Sequence, residues 1–301
     1  MATTTSEPDE LYTLRNLFWI GAFQEAINEA STSNRLNSNL IAEKEEFVYR
    51  CYLGLGQYHV ILSEIKDTSS TSINLRAIKL LAQYLSNPTT KDVTLSQIQE
   101  WLSDPVASSN STLQLISAII YVYDDNLKEA ITVIHQPANM EQHALLVQLY
   151  LRMDRLDLAT KQVKTMKSID DDHVLTTLAN AWVNLATGGA KIQEAAYAFD
   201  ELIDKYGGSS LLLNGFAVAK MHSGNYEEAE THLQEALTKA PSDPDSLANL
   251  ITVSQYLSRE PAVIGRYLAQ LKAKAPGHQL VKSLETFEGA FDRVCNSITA
   301  K

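Results

Sequence analysis

The chain is 301 residues long, with 36 acidic and 25 basic side chains and a formal net charge of −11. That balance argues against nucleic acid, whose phosphates call for clustered Lys and Arg, and against direct electrostatic docking on anionic lipid. Two cysteines, Cys51 and Cys295, are too few for a disulfide framework, so a reducing compartment is expected.

The opening residues lack the basic and apolar regions of a signal peptide. Ala2 in second position is not the glycine of a myristoylation signal, and the ending Ser297-Ile298-Thr299-Ala300-Lys301 is no prenylation box. No apolar run approaches the roughly 20 residues of a membrane span. The expectation is a soluble, acidic, cytoplasmic protein that reaches membranes only through partners, without direct insertion.

In chain order, residues 1–9 read as a polar, disordered tail. Helical periodicity starts at Leu11, with Leu14, Leu17 and Phe18 on one face, and Phe23–Ala30 follows a turn at Gly21. Ser31–Asn39 reads as a loop. Glu43–Leu53 pairs with Tyr58–Ile65 around Gly54 and Gly56, and Thr68–Ser72 is again a loop. Ile73–Leu85 is a strong helix whose partner is Leu95–Leu102, and Ser86–Thr94, with Pro88, reads as loop. From Leu113 the pattern is more regular: Leu113–Tyr123 with Leu127–His135, Gln142–Arg152 with Leu156–Met166, and Val174–Ala186 with Ile192–Tyr206. Ser210–His222 then pairs with Tyr226–Lys239, and Leu247–Tyr256 with Ala262–Lys274. Asp243-Pro244 supplies an N-cap carboxylate and a proline in the first helical turn. After Pro276, Leu280, Leu284, Phe287, Phe291, Val294 and Ile298 step by four and three along an amphipathic helix suited to cover an open end. No alternating strands with hairpin turns are present.

A short phrase recurs through these elements. Its clearest copy is Gly224-Asn225-Tyr226-Glu227-Glu228-Ala229, followed by Leu233, Ala236 and Pro241. The last residue of the phrase falls at Ala26, Ile61, Ala130, Ala159, Ala195, Ala229 and Val263, in steps of 35, 69, 29, 36, 34 and 34, the 69 being two periods. A period near 34 is that of tetratricopeptide (TPR) repeats, each a pair of antiparallel helices. The fold class expected is therefore all-α, a right-handed superhelical solenoid of TPR-like helix pairs. It runs over residues 10–279 as about eight pairs, degenerate around 69–112, with a C-terminal capping helix over 280–301. The recurring small residue marks where the second helix crosses the first.

Stacking places the first helix of each pair on the inner, concave wall. The residues expected there are Leu211, Asn214, Val218, Met221 and His222 in the best copy. Glu141, Ala144, Gln148, Leu151 and Arg152 take those places in the copy starting near Met140, and Asn180 and Asn184 face the same way. Such a wall is mostly apolar with few positive charges, which suits an apolar partner helix or domain. Ala144, Gln148, Leu151, Asn180, Asn184, Leu211, Asn214, Val218, Met221 and His222 are the candidate partner-binding residues.

Catalytic signatures are missing: there is no His-Glu-x-x-His, phosphate loop or Gly-x-Ser-x-Gly. Gly54-Leu55-Gly56 reads as a helix-to-helix turn, and Asp170-Asp171-Asp172-His173 as a solvated loop and helix N-cap rather than a metal site. No cofactor is expected. A TPR adaptor for the acidic C-terminal peptide of a chaperone is the competing reading. It needs Lys and Arg beside Asn180 and Asn214, and no such paired Lys is present.

The wording between the repeats is specific. Asp9-Glu10-Leu11-Tyr12, Phe18-Trp19-Ile20-Gly21, Leu178-Ala179-Asn180-Ala181-Trp182-Val183, Leu211-Leu212-Leu213-Asn214-Gly215, Arg266-Tyr267-Leu268 and Phe291-Asp292-Arg293 follow one another in an order that resembles the epsilon subunit family of coatomer. The resemblance runs from residue 9 to the last helix and is thinnest at Thr68–Ser72 and Ser86–Ser111. It implies a non-catalytic structural subunit of the COPI vesicle coat, a TPR solenoid that curls around the C-terminal domain of the coatomer alpha subunit. Through alpha it implies the beta-prime subunit and the rest of the coat, with an Arf-type GTPase recruiting the coat to the cytosolic side of Golgi membranes. The transport steps implied are Golgi-to-ER retrograde and intra-Golgi.

Overall fold

A computed structural model describes residues 9–32, 36–68 and 70–299. The expected tail thus lies outside the described residues apart from Asp9, as do residues 33–35 and 69 of two predicted loops and the last two residues of the chain. The described secondary structure is helical throughout. It falls into two compact units, one ending at Thr187 and the other starting at Gly188.

The first unit contains α1 (Tyr12–Trp19), α2 (Phe23–Thr32), α3 (Ser38–Gly54), α4 (Tyr58–Glu64), α5 (Ile73–Ser86), α6 (Lys91–Ser103), α7 (Ser111–Tyr123), α8 (Leu127–Val133), α9 (Met140–Arg152), α10 (Leu156–Ile169) and α11 (Val174–Thr187). Consecutive helices pack as pairs, α1 with α2, α7 with α8 and α9 with α10. Ala26, Ala130 and Ala159 lie at the crossings with no exposed surface, and Ile61 holds the same place in α4. The second unit contains α12 (Lys191–Tyr206), α13 (Ser210–His222), α14 (Tyr226–Lys239), α15 (Pro244–Tyr256), α16 (Pro261–Lys274) and α17 (Gln279–Thr299). There Ala195 and Ala229 are fully buried.

The turn inside each regular pair is the same device. Gly21, Gly56, Asp125, Asp154, Gly224 and Ser258 all have φ between 51° and 79°. The next residue's N–H reaches back five positions, as in Ala22 to the Leu17 carbonyl, Arg155 to Tyr150 and Arg259 to Ser254. This left-handed cap satisfies the carbonyls that the first helix leaves open and reverses the chain onto its own groove.

Two elements begin at least four residues earlier than the sequence predicts. Ser38, expected in a loop, starts α3 because the Asn37 side chain accepts from the Leu40 N–H. Lys91 starts α6 behind a 3-10 turn at Pro88–Thr90. The α5–α6 link has no left-handed cap, and α6 is loosely seated, meeting α5 over less of its length than α2 meets α1 or α8 meets α7.

Gly215 and Gly265 offer opposed tests of this packing. A Cβ on Gly215 would sit 2.5 Å from the ring of Phe199, which is fully buried and has nowhere to move. Gly215→Ala is therefore expected to lower the unfolding free energy by about 1–3 kcal/mol in urea titration. Gly265, inside α16, would meet nothing within 4 Å. Gly265→Ala is expected to raise stability by up to about 1 kcal/mol. Equal effects of the two would contradict the described packing.

Candidate functional site

In the first unit, the first helices of successive pairs are joined by polar side chains far apart in sequence. Trp19 on α1 donates its Nε1–H to Glu141 Oε1 on α9 at 2.8 Å, and Arg50 on α3 donates to the same oxygen at 2.8 Å. Arg50 also lies 3.8 Å from Glu46, one helical turn back. Glu46 accepts from Asn74 on α5 at 2.7 Å and from Thr112 on α7 at 3.0 Å, and Asn110 donates to Asn74 at 2.8 Å. The guanidinium rests 4.5 Å above the Phe18 ring and 5.0 Å above that of Phe47.

These side chains are sheltered from water: Arg50 is 9% exposed, and its partners Glu46 and Glu141 12% and 16%. Burial pulls the Arg50 guanidinium down, but the charges of Glu141 and Glu46 more than offset it, so it ends above its ordinary value. His173 packs on Trp19 with 4.6 Å between ring centroids and the ring planes tilted by 43°, and its Nδ1 accepts from the Leu175 N–H. The N-cap predicted around Asp170–His173 is thus made by the imidazole.

Glu141, expected on a mostly apolar inner wall, is thus held in a sheltered network of ion pairs and hydrogen bonds. The sequence signal was Glu46 and Arg50 at i and i+4 on a helix stretch that also carries Phe47 and Cys51, since such a pair on an apolar face has to find its own counter-charges. Glu141 was recognisable as a wall residue, but its two donors lie 122 and 91 residues away.

The predicted binding residues separate by environment. In the first unit Ala144 and Asn184 are buried and offer almost no surface. Gln148 is exposed, while Leu151 and Asn180 are half-buried. In the second unit Leu211, Asn214 and Val218 share one face of α13 at i, i+3 and i+7. Leu211 is 39% exposed, Val218 is half-buried, and Asn214 accepts from Asn249 on α15 at 2.8 Å. His222 is exposed one turn beyond. Met221 packs against the core around Ala217, Leu233 and Val253, so it supports the face more than it presents one.

A second apolar surface lies on α17. The face expected to cover the end of the stack is engaged by Leu280 and Val281 in its first turn. Beyond it Phe287, Phe291, Val294 and Ile298 are 57–70% exposed. Among the described residues no helix is long and apolar enough to cross a membrane, and no group of three or more His, Cys, Asp or Glu side chains is placed to hold a metal ion.

Antiparallel helix pairs with a buried small residue at the crossing and a left-handed turn between them define a TPR-type helical-repeat protein. Solved structures agree. A tetratricopeptide repeat protein from Parabacteroides merdae superposes with a TM-score of 0.58 over 92% of this chain and 96% of its own, at 13% identity. A chain of the APC/C hetero-tetramer Cut9–Hcn1 gives 0.62 over 91% of this chain and 54% of that one, also at 13% identity. Sequence relatives go further. Coatomer subunit epsilon-1 of Arabidopsis thaliana is 45% identical over 290 residues, covering 96% of this chain and 97% of its own length. Coatomer subunit epsilon of Dictyostelium discoideum is 36% identical over 290 residues, 94% of this chain and 97% of its own. The family model described as coatomer epsilon subunit matches residues 7–299. The chain belongs to the coatomer epsilon subunit family and is a component of the COPI coat.

Two measurements probe the buried network. Removing Glu141 leaves Arg50 without its nearest counter-charge, and stranding a buried charge costs about 3–5 kcal/mol. Glu141→Ala is expected near the lower end because Glu46 remains, and Glu141→Gln less, since its Oε1 still accepts from Trp19 and Arg50. A change within about 0.5 kcal/mol for Glu141→Ala would contradict the network.

The second measurement is pH-dependent. Burial holds His173 below its ordinary value of 6.5, although Asp170 and Glu141 pull it upward. The unfolded chain therefore takes up that proton first as pH falls through 6.5. Stability present above that pH is lost below it, until the folded imidazole also protonates. His173→Asn, which keeps a cap acceptor, should show a smaller drop in thermal midpoint between neutral and acidic pH than the parent. An equal drop would exclude His173 as a contributor.

Proposed function

We propose that this chain works by binding alone, as a scaffold subunit that holds and stabilises the C-terminal domain of the coatomer alpha subunit. Through alpha it joins the beta-prime subunit and the rest of the coat, which an Arf-type GTPase recruits to the cytosolic side of Golgi membranes. The transport steps it serves are Golgi-to-ER retrograde and intra-Golgi.

The observation that carries this reading is the family match from residue 7 to residue 299. The chemistry of the surface supports it. The polar groups of the first unit are engaged with one another, and apolar side chains remain free on α13 and α17. Exposed Leu and Phe side chains gain free energy by leaving water against a partner.

The test is to mix the purified chain with the separately purified C-terminal domain of alpha. A stable one-to-one complex on gel filtration is expected, and two separate peaks would overturn the reading. Leu211→Asp sets a charge on the α13 face without touching the core, so binding should weaken roughly tenfold or more while the thermal midpoint holds. Met221→Asp, by contrast, should cost stability because Met221 is part of the core. Unchanged affinity of Leu211→Asp would remove α13 from the contact.

A further inference from the structure

The loosely seated helix α6 opens a cleft against α5. One hollow of it has a volume of about 460 Å³, within the size range of ligand sites. One wall is Trp101, with the Arg76 guanidinium 4.8 Å above its ring. Among the described residues no carboxylate lies within ion-pairing distance of Arg76. A guanidinium placed over an aromatic ring loses little further freedom when its planar fork of donors takes a carboxylate.

Lys79 lies beside it, its side chain only 11% exposed, paired at 2.7 Å with Asp67. Asp67 itself is 72% exposed on the segment after α4. The cleft thus holds one unpaired cation and one whose counter-charge a ligand can replace, in a chain whose net charge is −11.

The hollow continues into a second of about 570 Å³ that shares Lys79, Gln83 and Gln97 and adds the apolar side chains of Leu62 and Val93. Gln83 and Gln97 line both hollows; Gln97 gives one Nε2–H to Glu100 at 2.9 Å, and each carboxamide has a further donor and an acceptor, as a peptide group does. A cationic end, an amide-lined middle and an apolar end describe an extended polypeptide more closely than a small free anion, which would use only the first part.

We propose that this cleft binds a short acidic segment of a partner polypeptide. A side-chain carboxylate lies in the fork of Arg76 with Lys79 as second contact, and an apolar residue a few positions along rests on Leu62 and Val93. The site is independent of the reading of α13 as the alpha-subunit face.

The experiment uses the full chain and a set of fluorescein-labelled heptapeptides, each with two adjacent glutamates and one leucine or phenylalanine at varied spacing. Each has a glutamine-for-glutamate counterpart, and binding is read by fluorescence anisotropy. At least one spacing should bind tenfold or more tightly than its counterpart. Arg76→Gln should abolish that preference, and Asp67→Asn should tighten binding several-fold by freeing Lys79, a gain that misfolding cannot produce. The proposal fails if no acidic peptide outbinds its counterpart, if Arg76→Gln binds as the parent does, or if inorganic phosphate at low millimolar concentration displaces the peptide completely, which marks a small-anion site.

Discussion

The close crossing of the two helices in each pair is the constraint on which the structure depends. Neither helix of a pair can bury its apolar stripe alone. At the point where they cross, four pairs carry an alanine, and the α3–α4 pair carries Ile61 with no exposed surface. Ala26, Ala130, Ala159 and Ala229 let the two backbones approach closely, with no exposed surface. The left-handed turn before each second helix supplies the reversal that brings the crossing about. Where that turn is missing, between α5 and α6, the second helix sits loosely and a cleft opens beside it.

The first unit has added a second constraint on top of packing. Buried ion pairs contribute little net stability, because desolvation offsets most of the attraction, but they penalise any arrangement that leaves one member unpaired. Arg50 between Glu46 and Glu141, with Trp19, Asn74 and Thr112 as further partners, couples helices that are far apart in sequence. Helical repeats otherwise interact mainly with their neighbours and are free to flex. A network that spans several repeats sets their mutual placement within the first unit.

Much of this was legible in the residues. The Ala phrase and its 34-residue period gave the helix pairs, and Gly21, Gly56 and Gly224 gave their turns. Asp125, Asp154 and Ser258 adopt the same left-handed conformation, but a side chain there carries no marker as plain as glycine, so those turns were placed only by the helices around them. The stripe on α17 was visible by its four-and-three spacing, whereas its exposure was not, because periodicity reports an apolar face and says nothing of what covers it. The exposed Leu211 and the half-buried Val218 fall on the predicted wall. Ala144 and Asn184 do not present there, since a one-residue shift on a helix moves a side chain 100° around the axis. Contacts such as Arg50 to Glu141 join helices 91 residues apart within the first unit, a separation no local pattern encodes.

The account holds that the chain has its role as a member of the coat, through surfaces that grip other subunits. Isolation of the tagged chain from cytosol at physiological salt, with stoichiometry of its companions measured by quantitative mass spectrometry, tests this most directly. The other coatomer subunits are expected in near-equal amounts, with alpha retained longest as salt is raised. A chain that elutes without them, or that retains a coat subunit other than alpha most tenaciously, would contradict it.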